Sequence, residues 1–243
     1  MVGRRSTVAQ VPWGEGSQLQ ATPAGRPAAT VAAMYELKRS GDLPDLLEYS
    51  KGIFKRFGFH VQLGTCVHKE ALAAAIDDGF TDAIALPDAD WQHEHRAALA
   101  AAFGADDAWD DPYVEVDEMV PTGRPEGPYV LALHADPRSD DDLRGLTAQA
   151  LRKSLAGTAC LTVEEYLVVQ RMIFERYGDH RFDDYSGDPS GWMWLADSTD
   201  HDRTAMAYWN KTKRRVEVSA CKTGSKNPRK GARRCRVIPI EAR

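Results

Sequence analysis

Along the chain the spacing of apolar residues changes several times, and each change marks an element. Before Val31 only Val8, Val11, Trp13 and Leu19 interrupt a stretch rich in Gly, Pro, Ser, Thr and Ala, so residues 1–30 read as a mobile tail. Residues 34–50 read as a helix with a break near Gly41-Asp42-Leu43-Pro44. A strand is predicted over 60–66, an Ala-rich helix over 69–76 and a short apolar strand over 81–86. A second helix follows over 91–103, with Asp90 as its N-cap and Gly104 just past its end. Strands are predicted over 113–116 and 129–133, joined by a run dense in Pro and Gly. This alternation predicts a small α/β layer domain over residues 31–150.

The sharpest local signal is Leu161-Thr162-Val163-Glu164-Glu165-Tyr166. Thr162 and Glu165 have the spacing of a capping box, in which the hydroxyl and the carboxylate each take a free backbone N–H. Leu161 and Tyr166 have the spacing of a hydrophobic staple. Val163, Tyr166, Leu167, Ile173, Phe174 and Tyr177 then share one helical face, which predicts an amphipathic helix against a sheet, ended by Gly178. Downstream the period becomes two. Trp192 and Trp194 alternate, as do Val216 and Val218, and Cys235, Val237 and Pro239 continue the spacing. Helix followed by short antiparallel strands predicts an α+β class, with a second domain over residues 151–243.

The order of motifs in this section carries a resemblance. A helix opened by Leu-Thr-Val-Glu-Glu leads to Trp192-Met193-Trp194-Leu195, then Ala207-Tyr208-Trp209-Asn210, Arg215-Val216-Glu217-Val218 and a terminal Gly231-Ala232-Arg233. This resembles the closing section of bacterial C-type-lectin-fold domains. That group includes formylglycine-generating-enzyme-like proteins and variable proteins diversified by retroelements. The chain as a whole is similar to conserved bacterial proteins. The resemblance implies a C-type-lectin-like scaffold over 151–243 whose loops display a ligand site. Trp209-Asn210-Lys211 lacks an acidic third member, so calcium-mediated sugar binding is not implied.

Charge sharpens where that site would lie. The net charge is −5, yet residues 211–243 hold 12 Lys/Arg against Glu217 and Glu241, while the first 210 residues hold 19 basic and 34 acidic residues. Basic residues beside Tyr208 and Trp209 suit anions, phosphates or stacked bases. The candidate ligand-binding residues are Tyr208, Trp209, Asn210, Lys211, Lys213, Arg214, Lys222, Lys226, Asn227, Arg229 and Lys230.

Other constellations carry less. Cys221 and Cys235 flank a polar loop and read as a disulfide, a reactive thiol pair or two small buried hydrophobes. His93 and His95 diverge by about 200° on a helix and do not converge on one ion. Cys66-Val67-His68 has no second cysteine pair to complete a zinc site. The acids at 179, 183, 184, 188, 197, 200 and 202 lack the spacing of a calcium loop and read as turn chemistry. No phosphate loop, nucleophile elbow or zincin motif is present.

The sequence therefore predicts a non-catalytic binding protein without metal or cofactor. Its partner is an anionic ligand or protein. Nucleic acid held by the basic end is the alternative, and a thiol- or metal-dependent enzyme a second. With four cysteines, no apolar leader in the first 30 residues and no run long enough to span a bilayer, a cytoplasmic protein is expected.

Overall fold

Two five-residue apolar runs set the centre of the fold. β3 (Asp82–Leu86) and β4 (Tyr129–Leu133) are buried at every position, a pattern that requires cover on both faces. The computed structural model describes residues 35–36, 43–103, 123–134, 140–155, 157–177, 192–199, 202–210, 213 and 215–241. They belong to one compact unit, Val31–Arg243.

β3 and β4 pair antiparallel, with Ile84 opposite Leu131. On its other edge β4 pairs with β9 (Cys235–Glu241), Leu131 opposite Val237. β1 (Tyr35–Glu36) and β2 (Cys66–Val67) extend this sheet to the order β1-β3-β4-β9-β2, antiparallel at each step. One face carries Ala83, Ala85, Val130, Ala132, Ile238 and Ile240. It is covered by α2 (Lys69–Asp77) and by Leu46 and Leu47 of α1 (Leu43–Arg56). Gly64 lies where a Cβ would come within 2.7 Å of Ile240 and 2.8 Å of the Glu241 carbonyl, so only glycine lets the chain pass β9 this closely.

The opposite face, with Ile84, Leu86, Leu131 and Leu133, meets α4 (Arg96–Phe103) and α6 (Val163–Tyr177). Beyond α6 lies a second sheet of order β7-β6-β5-β8. It comprises β5 (Trp192–Thr199), β6 (Arg203–Asn210), β7 (Arg215–Lys222) and β8 (Lys230–Gly231). β5, β6 and β7 are antiparallel, and β8 runs parallel to β5. Met193, Leu195, Ala205, Ala207, Val216, Val218 and Ala220 turn toward α6 and join the same core. The other face is partly roofed by Leu143, by Ala148 and Leu151 of α5 (Ala148–Ser154), and by Leu155. The fold class is mixed α+β. Among the described residues no helix is long and apolar enough to cross a membrane.

The observed elements correct several expectations. The division at residue 150 falls inside the unit, because β9 is inserted between β4 and β2 and does not continue the strands before it. Inward positions in β9 are shared between its two faces: Ile238 and Ile240 face α2, and Cys235 faces α6. The first helix begins at Leu43 and runs to Arg56, with a strand pair at Tyr35–Glu36 before it. The strand expected over 60–66 is reduced to Cys66–Val67. The helix expected over 91–103 divides at His95 into α3 (Ala89–Glu94) and α4, and its N-cap is Asp88, whose carboxylate accepts from the Trp91 N–H at 2.8 Å. Gly104, Gly178 and the strand over 113–116 lie outside the described residues, as does the whole tail over 1–30.

Candidate functional site

The register of the second sheet decides which side chains share a face. Ala207 stands opposite Val218 and Met193, and Met206 opposite Ser219 and Trp194. Trp192, Trp194, Tyr208, Glu217 and Cys221 therefore lie on the face away from α6. Trp192 and Trp194 stand on the face opposite Val216 and Val218. Trp209 packs against the α6 side and is separated from Tyr208.

At one end of this outer face the predicted residues converge. The Asn210 amide donates to the Tyr208 hydroxyl at 3.1 Å, and its oxygen accepts the Lys213 N–H at 3.0 Å. Tyr208 donates to Glu217 at 2.5 Å, and Lys213 Nζ reaches the same carboxylate at 2.7 Å. Arg215 Nε lies 3.7 Å away. Burial opposes ionisation of Glu217, but the bonds from Lys213, Tyr208 and Asn210 outweigh it and bring its pKa down to about 2. Burial and the same carboxylate push the Tyr208 phenol up to about 12. The Trp192 and Tyr208 rings pack with centroids 4.0 Å apart. Glu217, missed as a site residue by sequence reasoning, is the hub; its alternation between Val216 and Val218 was the available signal.

At the other end of β7 the chain enters the connection to β8. Lys222, Lys226 and Arg229 are exposed there. Asn227 fixes the loop by accepting the Arg229 N–H on its side chain at 2.8 Å. The loop is tied down at Thr223, whose N–H donates to the Asp202 carbonyl at 2.9 Å, and at Lys230, whose carbonyl accepts the Gly145 N–H at 2.7 Å. Lys230 departs from expectation. It is 5% exposed and crosses the Trp194 ring, with Nζ 4.4 Å from the centroid. Arg233 is likewise buried. The two predicted clusters are separated by the eight residues of β7, about 26 Å of strand at 3.3 Å per residue. Lys211 and Arg214 lie outside the described residues.

A second constellation surrounds the start of α6. The capping box forms as spaced: the Thr162 N–H donates to Glu165 Oε2 at 2.8 Å, and the Glu165 N–H to Thr162 Oγ1 at 3.2 Å. Residues 163–170 are buried without a break, so α6 is a central helix and not the one-faced helix expected. Its carboxylates therefore need internal partners. Arg124 clasps Glu165 through Nε at 2.6 Å and Nη2 at 2.5 Å, and the Tyr129 hydroxyl adds a bond at 2.6 Å. Arg96 donates through Nε to Glu164 at 2.6 Å and through Nη2 to Asp197 at 3.2 Å, and Asp197 also caps the Val163 N–H at 2.7 Å. Among the described residues Glu164 Oε2 has no hydrogen-bond partner. Burial first, then the Glu164 charge, push the Asp197 pKa up to about 8.

The thiols divide by environment. Cys160, Cys221 and Cys235 are free. The Cys221–Cys235 disulfide is excluded by topology, since Cys221 sits on β7 of one sheet and Cys235 on β9 of the other. Burial raises the Cys160 thiol to about 12 and Cys235 well above its ordinary value, which leaves neither as a nucleophile near neutral pH. Cys160 lines a cleft of about 220 Å³ with Leu151, Leu155, Leu195, Arg152 and Thr204. Among the described residues no three His, Cys, Asp or Glu side chains gather as a metal site. His95 instead stacks on Trp91, centroids 4.1 Å apart. Most of the acidic segment over 179–202 lies outside the described residues; of those described, Asp197 is the buried partner of Arg96. Compared with family models, curated proteins and solved structures, the chain finds no match.

Proposed function

We propose that the protein is a non-catalytic binding module that takes an extended polyanionic partner along the outer edge of its second sheet. One observation carries the reading. Across residues 211–236 the single acid, Glu217, is held by Tyr208 and Lys213, while Lys213, Lys222, Lys226 and Arg229 are exposed. The 222–229 loop thus presents three exposed cations and no acid of its own, while Lys213, Arg234 and Arg236 are paired with Glu217, Asp142 and Asp78.

Its geometry selects the class of partner. Basic groups at both ends of a strand about 26 Å long match a chain of repeated negative charges better than one compact anion. The Trp192–Tyr208 pair, its rings tilted by 47°, adds an apolar contact on the same face. A C-type-lectin-like scaffold remains part of this proposal only as a display role: loops fixed by a sheet present the contacts. The inert Cys160 and Cys235 thiols speak for binding over thiol catalysis at those positions.

Retention on immobilised heparin tests the reading. The wild-type chain, despite its net charge of −5, is expected to bind at about 50 mM salt. The variant Lys213→Glu, Lys222→Glu, Lys226→Glu, Arg229→Glu is expected in the flow-through with an unchanged circular dichroism spectrum. Equal retention of the folded variant would place the binding surface elsewhere.

A further inference from the structure

A buried ammonium needs a counter-charge or a full set of acceptors. Lys230 is 5% exposed, and no described carboxylate lies within ion-pair distance of it. Its Nζ instead donates to Cys221 Sγ at 3.0 Å and Ser225 Oγ at 3.1 Å, and faces the Trp194 ring. The sulfur is therefore the one partner in this set that can carry a full negative charge. Cys221 is half-buried on the outer face, so small solutes reach it. Burial pushes its pKa up, but the bonds from Ser225 and Lys230 and the ammonium charge together hold it below the ordinary thiol value. At Cys160 and Cys235 burial outweighs the nearby Arg124 charge, and both thiols are shifted the other way.

We propose that Cys221 and Lys230 form a peroxide-responsive pair that closes into a sulfur–nitrogen cross-link between β7 and β8. The inference is independent of the binding reading. In the first step the Cys221 thiolate attacks hydrogen peroxide. An S–O bond forms and the O–O bond breaks, sulfur loses two electrons, and the departing hydroxide takes a proton from the Lys230 ammonium to leave as water. The products are a sulfenic acid and a neutral amine at the same contact. In the second step the Lys230 amine attacks the sulfur. The S–N bond forms, the S–O bond breaks, and the hydroxyl leaves with an amine proton as a second water. Overall, thiolate, ammonium and one hydrogen peroxide give the sulfenamide and two waters. The link staples the 222–229 loop by its ends.

The test is peptide mapping of the full chain after exposure to hydrogen peroxide. The expected product joins tryptic residues 216–222 to residues 230–233, lighter than the two peptides by two hydrogen atoms, uncleaved after Lys230 and reversed by dithiothreitol. Lys230→Arg keeps a cation at the sulfur but supplies no amine of this type. There the sulfenic acid is expected to persist and be trapped by dimedone, with complete loss of the linked peptide. The wild-type map decides the question even if the variant misfolds. A Cys221 that stays reduced while added glutathione is oxidised would overturn the proposal. So would a wild-type sulfenic acid trapped with no linked peptide, or a link from Cys221 to another cysteine.

Discussion

Glu217 shows how one side chain sets the charge of a surface. It is the lone acid in a basic stretch, and its pKa near 2 means that it stays ionised through the physiological range. Glu217→Gln is expected to raise affinity for a polyanion by up to about fivefold at low salt, the worth of one exposed charge at contact distance. A titration against heparin oligosaccharide checks this, and unchanged or weaker binding contradicts it. Asp197 makes the opposite kind of prediction. Its pKa of about 8 lies above the ordinary value of 3.8, so between those pH values the folded state holds a proton that the unfolded chain has released. Stability that is full at the lower end of this window is therefore lost as pH rises toward 8, and then levels. Urea midpoints measured from pH 5 to 9 should show that fall in the wild type. Asp197→Asn, which removes this titrating group beside Arg96, should flatten it.

At the scale of elements, α6 separates a weak contribution from a strong one. Thr162→Ala removes one cap acceptor and is expected to cost about 1 kcal/mol. Glu165→Ala removes the carboxylate that Arg124, Tyr129 and the Thr162 N–H share, and leaves the buried Arg124 guanidinium without that counter-charge. It is expected to cost about 3–5 kcal/mol. Chemical denaturation of the two variants side by side checks the ratio, and equal losses would deny the network its role. The cap itself was legible, because Thr162 and Glu165 are three residues apart and their chemistry is local. So was β4, written in its run of apolar residues. Arg96 and Arg124 were not, since they reach Glu164 and Glu165 from 68 and 41 residues away and no short-range pattern links them. Lys230 escaped for a related reason. Arg229 before it is basic and exposed, and only the fold turns Lys230 under the loop onto Trp194.

For the whole molecule the controlling fact is the position of β9. The last strand is hydrogen-bonded between β4 and the edge strand β2 of the first sheet, so the two halves of the chain complete each other. Helix and strand content could be read from local periodicity, but a pairing that joins residues 129–133 to 235–239 depends on contacts about 100 residues apart. Far-UV circular dichroism and tryptophan fluorescence should therefore report one coincident unfolding transition for residues 31–243. Two separated transitions would restore a division near residue 150. The same architecture holds the basic turn and the basic loop at fixed ends of β7, which is the basis of the proposed binding edge. The most direct test of that edge is the salt dependence of binding to a labelled twelve-nucleotide oligothymidylate, followed by fluorescence anisotropy. Four contacts at Lys213, Lys222, Lys226 and Arg229 predict a slope of about −3 in log K against log salt for the wild type, and a slope near zero for the fourfold Glu variant. No binding by the wild type at about 50 mM salt, or the same slope for both proteins, would contradict the account.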